Sequence, residues 1–198
     1  MIILYVNPIG KSITLMIIET DIPRILKSEI IEKTGNDFEI IPKIFVDLSK
    51  KYSLKEIWCI TGPGPFTLLR IITLILNSIT YNNSNIILKS GHYFELLRGS
   101  DGVPILQANK HEYLIKTNNT IETIIKKEDL PPGKFIGYID EISIPGYTEY
   151  HENMETIISL FSQKENIHRL SPLYIKAPNI TLGSQKTSVH TSMQTKNS

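Results

Sequence analysis

Cysteine is almost missing from this chain: Cys59 is the only one in 198 residues. That excludes a disulfide framework and a cysteine-rich zinc site. Cys59 lies in the apolar run Ile57 to Ile60 and reads as a buried core thiol. Net charge is nearly absent too, with 21 basic against 20 acidic residues and a formal balance of +1. No bulk electrostatic pull toward nucleic acid or an anionic membrane follows from that. No apolar run approaches membrane-spanning length, and Met1 to Val6 is short and lacks a basic leader. The expectation is a soluble, cytoplasmic protein with no membrane contact, in which triplets such as Asn118-Asn119-Thr120 carry no glycosylation meaning. The five histidines, His92, His111, His151, His168 and His190, form no HxxxH or HExxH pattern. They read as surface or capping residues, and no metal site is expected. No nucleophile elbow or Ser-His-Asp ordering stands out. Asp140 and Glu141 are adjacent, so on a strand they would point to opposite faces. No catalytic residue and no cofactor are assigned.

What is present is an alternation of strands and helices. Ile2 to Val6 and Ser12 to Glu19 are β-branched runs separated by Asn7-Pro8-Ile9-Gly10, which predicts a hairpin, with a third strand at Ile25 to Ile31. From Phe38 to Tyr52 the apolar positions Phe38, Ile41, Ile44, Phe45 and Leu48 mark one helical face. Pro42 is tolerable there only near the helix start. Strand Glu56 to Ile60, helix Pro65 to Thr80, strand Ile86 to Lys89 and a short helix Gly91 to Leu97 follow. Gly99-Ser100-Asp101-Gly102 reads as a junction between lobes. Beyond it, strands are expected at Val103 to Ala108, Glu112 to Lys116 and Phe135 to Ile139, and helices at Thr120 to Lys127 and Asn153 to Phe161. Residues 183–198 are Ser, Thr, Gln and Lys with almost nothing apolar, which predicts a disordered tail. The pattern is α/β, a mixed sheet with helices.

The run from Ile60 to Ile71 is the most informative: Ile-Thr-Gly-Pro-Gly-Pro-Phe-Thr-Leu-Leu-Arg-Ile. Strand-to-helix glycine turns often cradle phosphate, because helix N-termini present free N–H groups. Here Pro63 and Pro65 remove two of those donors. Pro65 suits a first helical position, with Gly64 as cap and Gly62 allowing a tight approach. The following helix is apolar on almost every face. Leu68, Ile72 and Ile75 form one stripe and Leu69 and Leu76 another, and spacing leaves open which stripe faces the sheet. A helical face held open for a partner is one use of that surplus.

Gly62, Pro63, Gly64, Phe66, Thr67, Leu69, Arg70 and Ile71 resemble the Gly-Pro-Gly-Ser-Phe-Thr-Gly-Leu-Arg-Ile motif of the TsaB (YeaZ) family. Pro65, Leu68 and Ile72 depart from it, replacing a serine and two glycines. Ala108 to Tyr113 and Pro172 to Lys176 are similar to two further family segments. The resemblance implies the actin-like ATPase (ASKHA, RNase H-like) fold: an N-terminal lobe at 1–99 with partner-binding helices, a smaller lobe at 100–182, then the tail. It implies a non-catalytic scaffold that binds TsaD and supports transfer of threonylcarbamoyl to adenosine 37 of tRNA, with a TsaE-like ATPase joining and tRNA contacted only indirectly. The candidate partner-binding residues are Phe38, Ile41, Phe45, Leu48, Leu68, Leu69, Ile72 and Ile75. Those of the motif turn are Gly62, Gly64, Phe66, Thr67 and Arg70, with Phe66 anchoring the helix start and Arg70 bracing the turn or reaching the partner. The same helices could pair two copies of this chain. Nucleotide-binding members of the superfold carry an acid at the end of the first strand, where this chain has Asn7, and a neutral amide supplies no charge for Mg²⁺. Two alternatives stay open: a divergent ATP-binding kinase or ATPase, and a self-associating structural module.

Overall fold

Strict alternation in the first strand sets both layers of the core. The structure, a computed structural model, describes residues 1–33, 37–64, 66–117, 121–139 and 144–175, without the side chains of residues 37, 38 and 121. The expected tail, Asp140-Glu141, Pro65 and the side chain of Phe38 lie outside the described residues. In β1 (Ile2–Asn7), Leu4 and Val6 point to one face and Ile3 and Tyr5 to the other, and all four are fully buried. A strand apolar on both sides must lie mid-sheet with cover on each face. It pairs antiparallel with β2 (Ser12–Glu19) and parallel with β4 (Glu56–Ile60). With β3 (Arg24–Glu32) and β5 (Ile87–Gly91) the sheet order is β3-β2-β1-β4-β5.

Leu4, Val6, Leu15, Ile17, Ile57 and Cys59 meet two helices, α1 (Asp37–Lys51) and α2 (Phe66–Asn82). Burial raises the Cys59 thiol far above its ordinary range, and it stays an inert core group. Pro42 sits five residues into α1, deeper than the first turn in which proline is least disruptive. On the opposite face Ile3, Tyr5, Trp58 and Ile60 meet α3 (Tyr93–Leu96) and α4 (Met154–Ser162), together with Leu106 and Leu114 of a second sheet. His92 caps α3, its Nδ1 accepting from the Phe94 N–H at 3.2 Å, which is a structural use of the residue.

The second sheet has the order β10-β9-β6-β7-β8, from β6 (Val103–Gln107), β7 (Glu112–Thr117), β8 (Ile121–Lys126), β9 (Phe135–Tyr138) and β10 (Tyr147–Glu149). One expectation is corrected here. Within the segment Thr120 to Lys127, expected as a helix, residues Ile121–Lys126 form β8. Its Thr123, Ile124 and Ile125 are β-branched, and it pairs with β7 from Glu112↔Lys126 to Thr117↔Ile121. Strand β10, parallel to β9, was not expected: three residues with no apolar alternation give no periodic signal.

The turn at 99–102 separates the sheets, but the chain beyond β10 crosses back. Helix α4 packs beneath the first sheet, and residues 167–174 form a strap along it. Ile167 bridges Leu88, and the Asn77 side chain clasps the Leu170 backbone, accepting from its N–H at 2.8 Å and donating to its carbonyl at 3.0 Å.

Phe161 of α4 joins the layers. Its ring stacks on Trp58 at 5.2 Å and 6°, and meets Tyr5 edge-on at 6.0 Å. Phe161→Ala should cost about 3–5 kcal/mol, the range for deleting a fully buried aromatic side chain, read from urea unfolding. A loss below about 1 kcal/mol would mean that α4 is not part of the cooperative core.

Candidate functional site

The glycine-proline turn is a meeting point of three segments. The Thr61 carbonyl accepts from the Leu173 N–H at 2.7 Å, the Gly62 carbonyl from the Tyr93 N–H at 2.7 Å, and the Thr61 N–H donates to the Gly91 carbonyl at 3.0 Å. The Thr61 and Ser90 hydroxyls lie 2.7 Å apart. Gly64 bridges Tyr174, whose ring packs on Phe66 with centroids 4.4 Å apart. Gly62 has φ +134°, and a Cβ there would overlap the Leu173 carbonyl; at Gly64 a Cβ would overlap the Ile9 side chain. These glycines admit the returning strap and the β1–β2 turn rather than a phosphate. Two carbonyls and one N–H of the turn are committed to protein partners.

The end of β1 is equally committed. Asn7 is buried, its Oδ1 accepting from the Ile9 N–H at 3.0 Å and its Nδ2 donating to Glu152 Oε1. Tyr5 donates its hydroxyl to the same oxygen at 2.7 Å. The Thr14 and Tyr138 hydroxyls also interact with this carboxylate, and Glu152 Oε2 is sealed from solvent without a hydrogen bond of normal geometry. Burial raises the Glu152 carboxyl above its ordinary range, outweighing the donors that oppose the shift. Tyr5, Tyr138 and Tyr150 are pushed up in turn, first by burial and next by the Glu152 charge. Tyr138 lies over the β1–β2 turn, its Cγ 3.0 Å from where a Cβ of Gly10 would stand. The space between the sheets at Asn7 is thus filled by this chain's own phenols and one carboxylate. Sequence reasoning missed Glu152, Tyr138 and Tyr150, because they are brought to Asn7 from about 130 to 145 residues away and carry no local pattern. Among the described residues no three of His, Cys, Asp and Glu converge as a metal set, and no helix is long and apolar enough to cross a membrane.

The expected partner-binding residues fall mostly on the wrong side of their helices for that role. Ile41, Phe45, Leu48, Leu68 and Ile72 are buried against the sheet, and Leu69 is buried against the opposite core around Ile9 and Gly64. Ile75 is half-buried against the same helix–sheet core. Periodicity identified these stripes correctly as apolar, but both are used by the chain itself. The outward side of α2 carries Thr67, Arg70, Leu74, Ser78 and Tyr81, with Leu74 65% and Tyr81 89% exposed. Among the described side chains of α1, Ile40 and Val46 are the exposed apolar ones. The Arg70 side chain is exposed and has no partner among the described residues. Phe66 is half-buried against Tyr174 at the helix start.

No protein-family model matches the chain, and no curated protein matches it by sequence. Solved structures do match. An uncharacterized protein with similarity to peptidase YEAZ from Pseudomonas aeruginosa superposes with a TM-score of 0.60 at 13% identity, over 88% of this chain and 99% of that one. YeaZ from Pseudomonas aeruginosa superposes with a TM-score of 0.56 at 12% identity, again over 88% and 99%. The chain therefore has the YeaZ-like fold, two mixed sheets flanked by helices in the actin-like ATPase, RNase H-like architecture.

Two outcomes follow from this geometry. Gly62→Ala should cost about 2 kcal/mol or more through its positive φ and the overlap with the strap, and limited proteolysis should then cut between Ile167 and Tyr174; unchanged resistance would show that the strap does not depend on the turn. Because the folded Glu152 pKa lies above its unfolded value, the folded state binds the extra proton. The stability from this group is complete below the ordinary carboxylate pKa and is lost as pH rises through the raised folded value. Glu152→Gln should remove that slope, so that denaturation midpoints of the two proteins diverge with rising pH in favour of the variant. Parallel pH profiles would refute the assignment.

Proposed function

We propose that this chain is a non-catalytic scaffold of the TsaB (YeaZ) kind. It docks a TsaD-like enzyme through the outward faces of α1 and α2 and holds it competent to transfer threonylcarbamoyl to adenosine 37 of tRNA. The observation that carries this reading is the outer side of α2, where Leu74 and Tyr81 stand in solvent although the inner face already has a complete core. Exposed apolar residues sharing one face with a cation, Arg70, whose side chain has no partner among the described residues, form a surface of the kind that protein interfaces use. The filled space at Asn7 supports the same reading from the other side. The groups that a nucleotide and its metal would need are hydrogen-bonded within the chain. In this scheme tRNA and a TsaE-like ATPase meet the partner enzyme or the complex, and this chain contributes no reacting group.

The test is tagged co-expression with the TsaD-like protein of the same genome, followed by gel filtration. Wild type should co-elute with the partner, and Leu74→Glu should weaken the complex at least about tenfold, as the loss of a central apolar contact does. Its exposure should leave the thermal midpoint unchanged. Leu68 and Ile72 are unsuitable probes, because a charge at either enters the core. Separate elution of two folded proteins, or a Leu74→Glu variant that binds as wild type does, overturns the proposal.

A further inference from the structure

The two edges of the first sheet are treated differently. Along β5 the strap supplies a cover, with Ile167 bridging Leu88 and its N–H donating to the Leu88 carbonyl at 2.9 Å. Along β3 no described segment pairs on the outer side. Every residue of β3 is exposed except Glu29 and Ile31, which are half-buried. Ile30 is 68% exposed, and Ile25 and Leu26 are also open to solvent. A long apolar edge strand is a template for another strand unless something blocks it.

The order of side chains along this edge is self-complementary. Reading outward from Ser28, Lys27 is matched by Glu29, Leu26 by Ile30, Ile25 by Ile31 and Arg24 by Glu32. Each basic residue has an acidic counterpart at the same distance, and each apolar residue an apolar one. We infer that β3 is a homodimer interface, in which a second copy of this chain adds antiparallel with Ser28 opposite Ser28. Each pair in that register is separated by an even number of residues, as antiparallel pairing about a two-fold axis requires.

Lys27 and Glu29 already form an ion pair at 2.6 Å within the strand. In the dimer Lys27 of each copy faces Glu29 of the other, making a four-charge cluster of alternating sign; opposite charges directly across a ladder stabilise it and like charges oppose it. The β2–β3 ladder is irregular at Leu26, where Ile17 pairs with Lys27 and Ile18 with Ile25. The central pairs around Ser28 lie on the regular side of that irregularity and set the register. Of the edges of the second sheet, β10 is only three residues long and β8 is less suited. Its acid, Glu122, is held by His92 Nε2 at 3.2 Å and lies 3.9 Å from Lys116 Nζ. The two-fold axis stands perpendicular to the sheet, so α1 and α2 of both copies lie on one side of a sheet of twice the width. The pairing leaves Leu74 and Tyr81 uncovered, and it does not rest on the partner assignment above.

The test is sedimentation velocity on the full chain over a concentration series. Wild type should show a monomer–dimer equilibrium. Lys27→Glu or Glu29→Lys alone should weaken it about tenfold, because each change puts two like-charged pairs across the ladder. The double variant Lys27→Glu/Glu29→Lys should recover the wild-type constant. Ser28→Cys should cross-link into a dimer on mild oxidation, since facing residues lie about 4.5–5.5 Å apart at Cα, within disulfide reach. Buried Cys59 offers no competing thiol. Thermal midpoints of the single variants should stay near wild type, as for other exposed substitutions. A monomer at every concentration, single reversals without effect, absence of the Ser28→Cys cross-link, or a dimer dissolved by Leu74→Glu instead would each overturn the inference.

Discussion

Everything in this molecule depends on the need to cover β1 from both sides. Ile3 and Tyr5 on one face and Leu4 and Val6 on the other leave no side of the strand that water can touch. One layer is met by α1 and α2. The other is met by α3, α4 and the second sheet, so the two sheets are drawn together over β1 rather than left around an open cleft. Tyr138, Tyr150 and Glu152 fill the junction that results. The carboxylate is tolerated there because Tyr5 and Asn7 donate to it, and burial keeps its proton affinity high.

In this arrangement the end of β1 and the glycine-proline turn are committed within the chain. Asn7 has both side-chain functions occupied, and at Thr61 and Gly62 the carbonyls accept from a returning segment of the same chain. Exposed apolar side chains stand elsewhere, on the outer side of the helical layer and along β3.

Much of the fold was legible in the sequence because it rests on local periodicity. The hairpin of β1 and β2, the buried β4, and helices α1, α2 and α4 follow from spacing alone. The helix expected at Thr120 to Lys127 failed because its β-branched residues follow the β7 ladder, a contact that only the tertiary structure supplies. The site was less legible. The spacing of Leu68, Ile72, Leu69 and Leu76 showed two apolar stripes on α2, but which was inner depends on where the sheet lies, and both proved to be core. Leu74 and Tyr81 belong to neither stripe, so periodicity passed over them. Glu152 is one acid among many in the sequence and acquires its role only by meeting Tyr5 and Asn7 across the fold.

The strap at residues 167–174 has a consequence for the order in which the protein can be completed. The first sheet is built from residues before 92, yet one of its edges and its central turn are closed by Ile167, Leu170 and Leu173. During synthesis the N-terminal half emerges with both edges of its sheet open, its β5 edge waiting for a segment about 80 residues further along and its glycine-proline turn for one about 110 residues on. Contacts of such sequence separation form late. The nascent chain must therefore pass through a stage in which β5 is as receptive to strangers as β3.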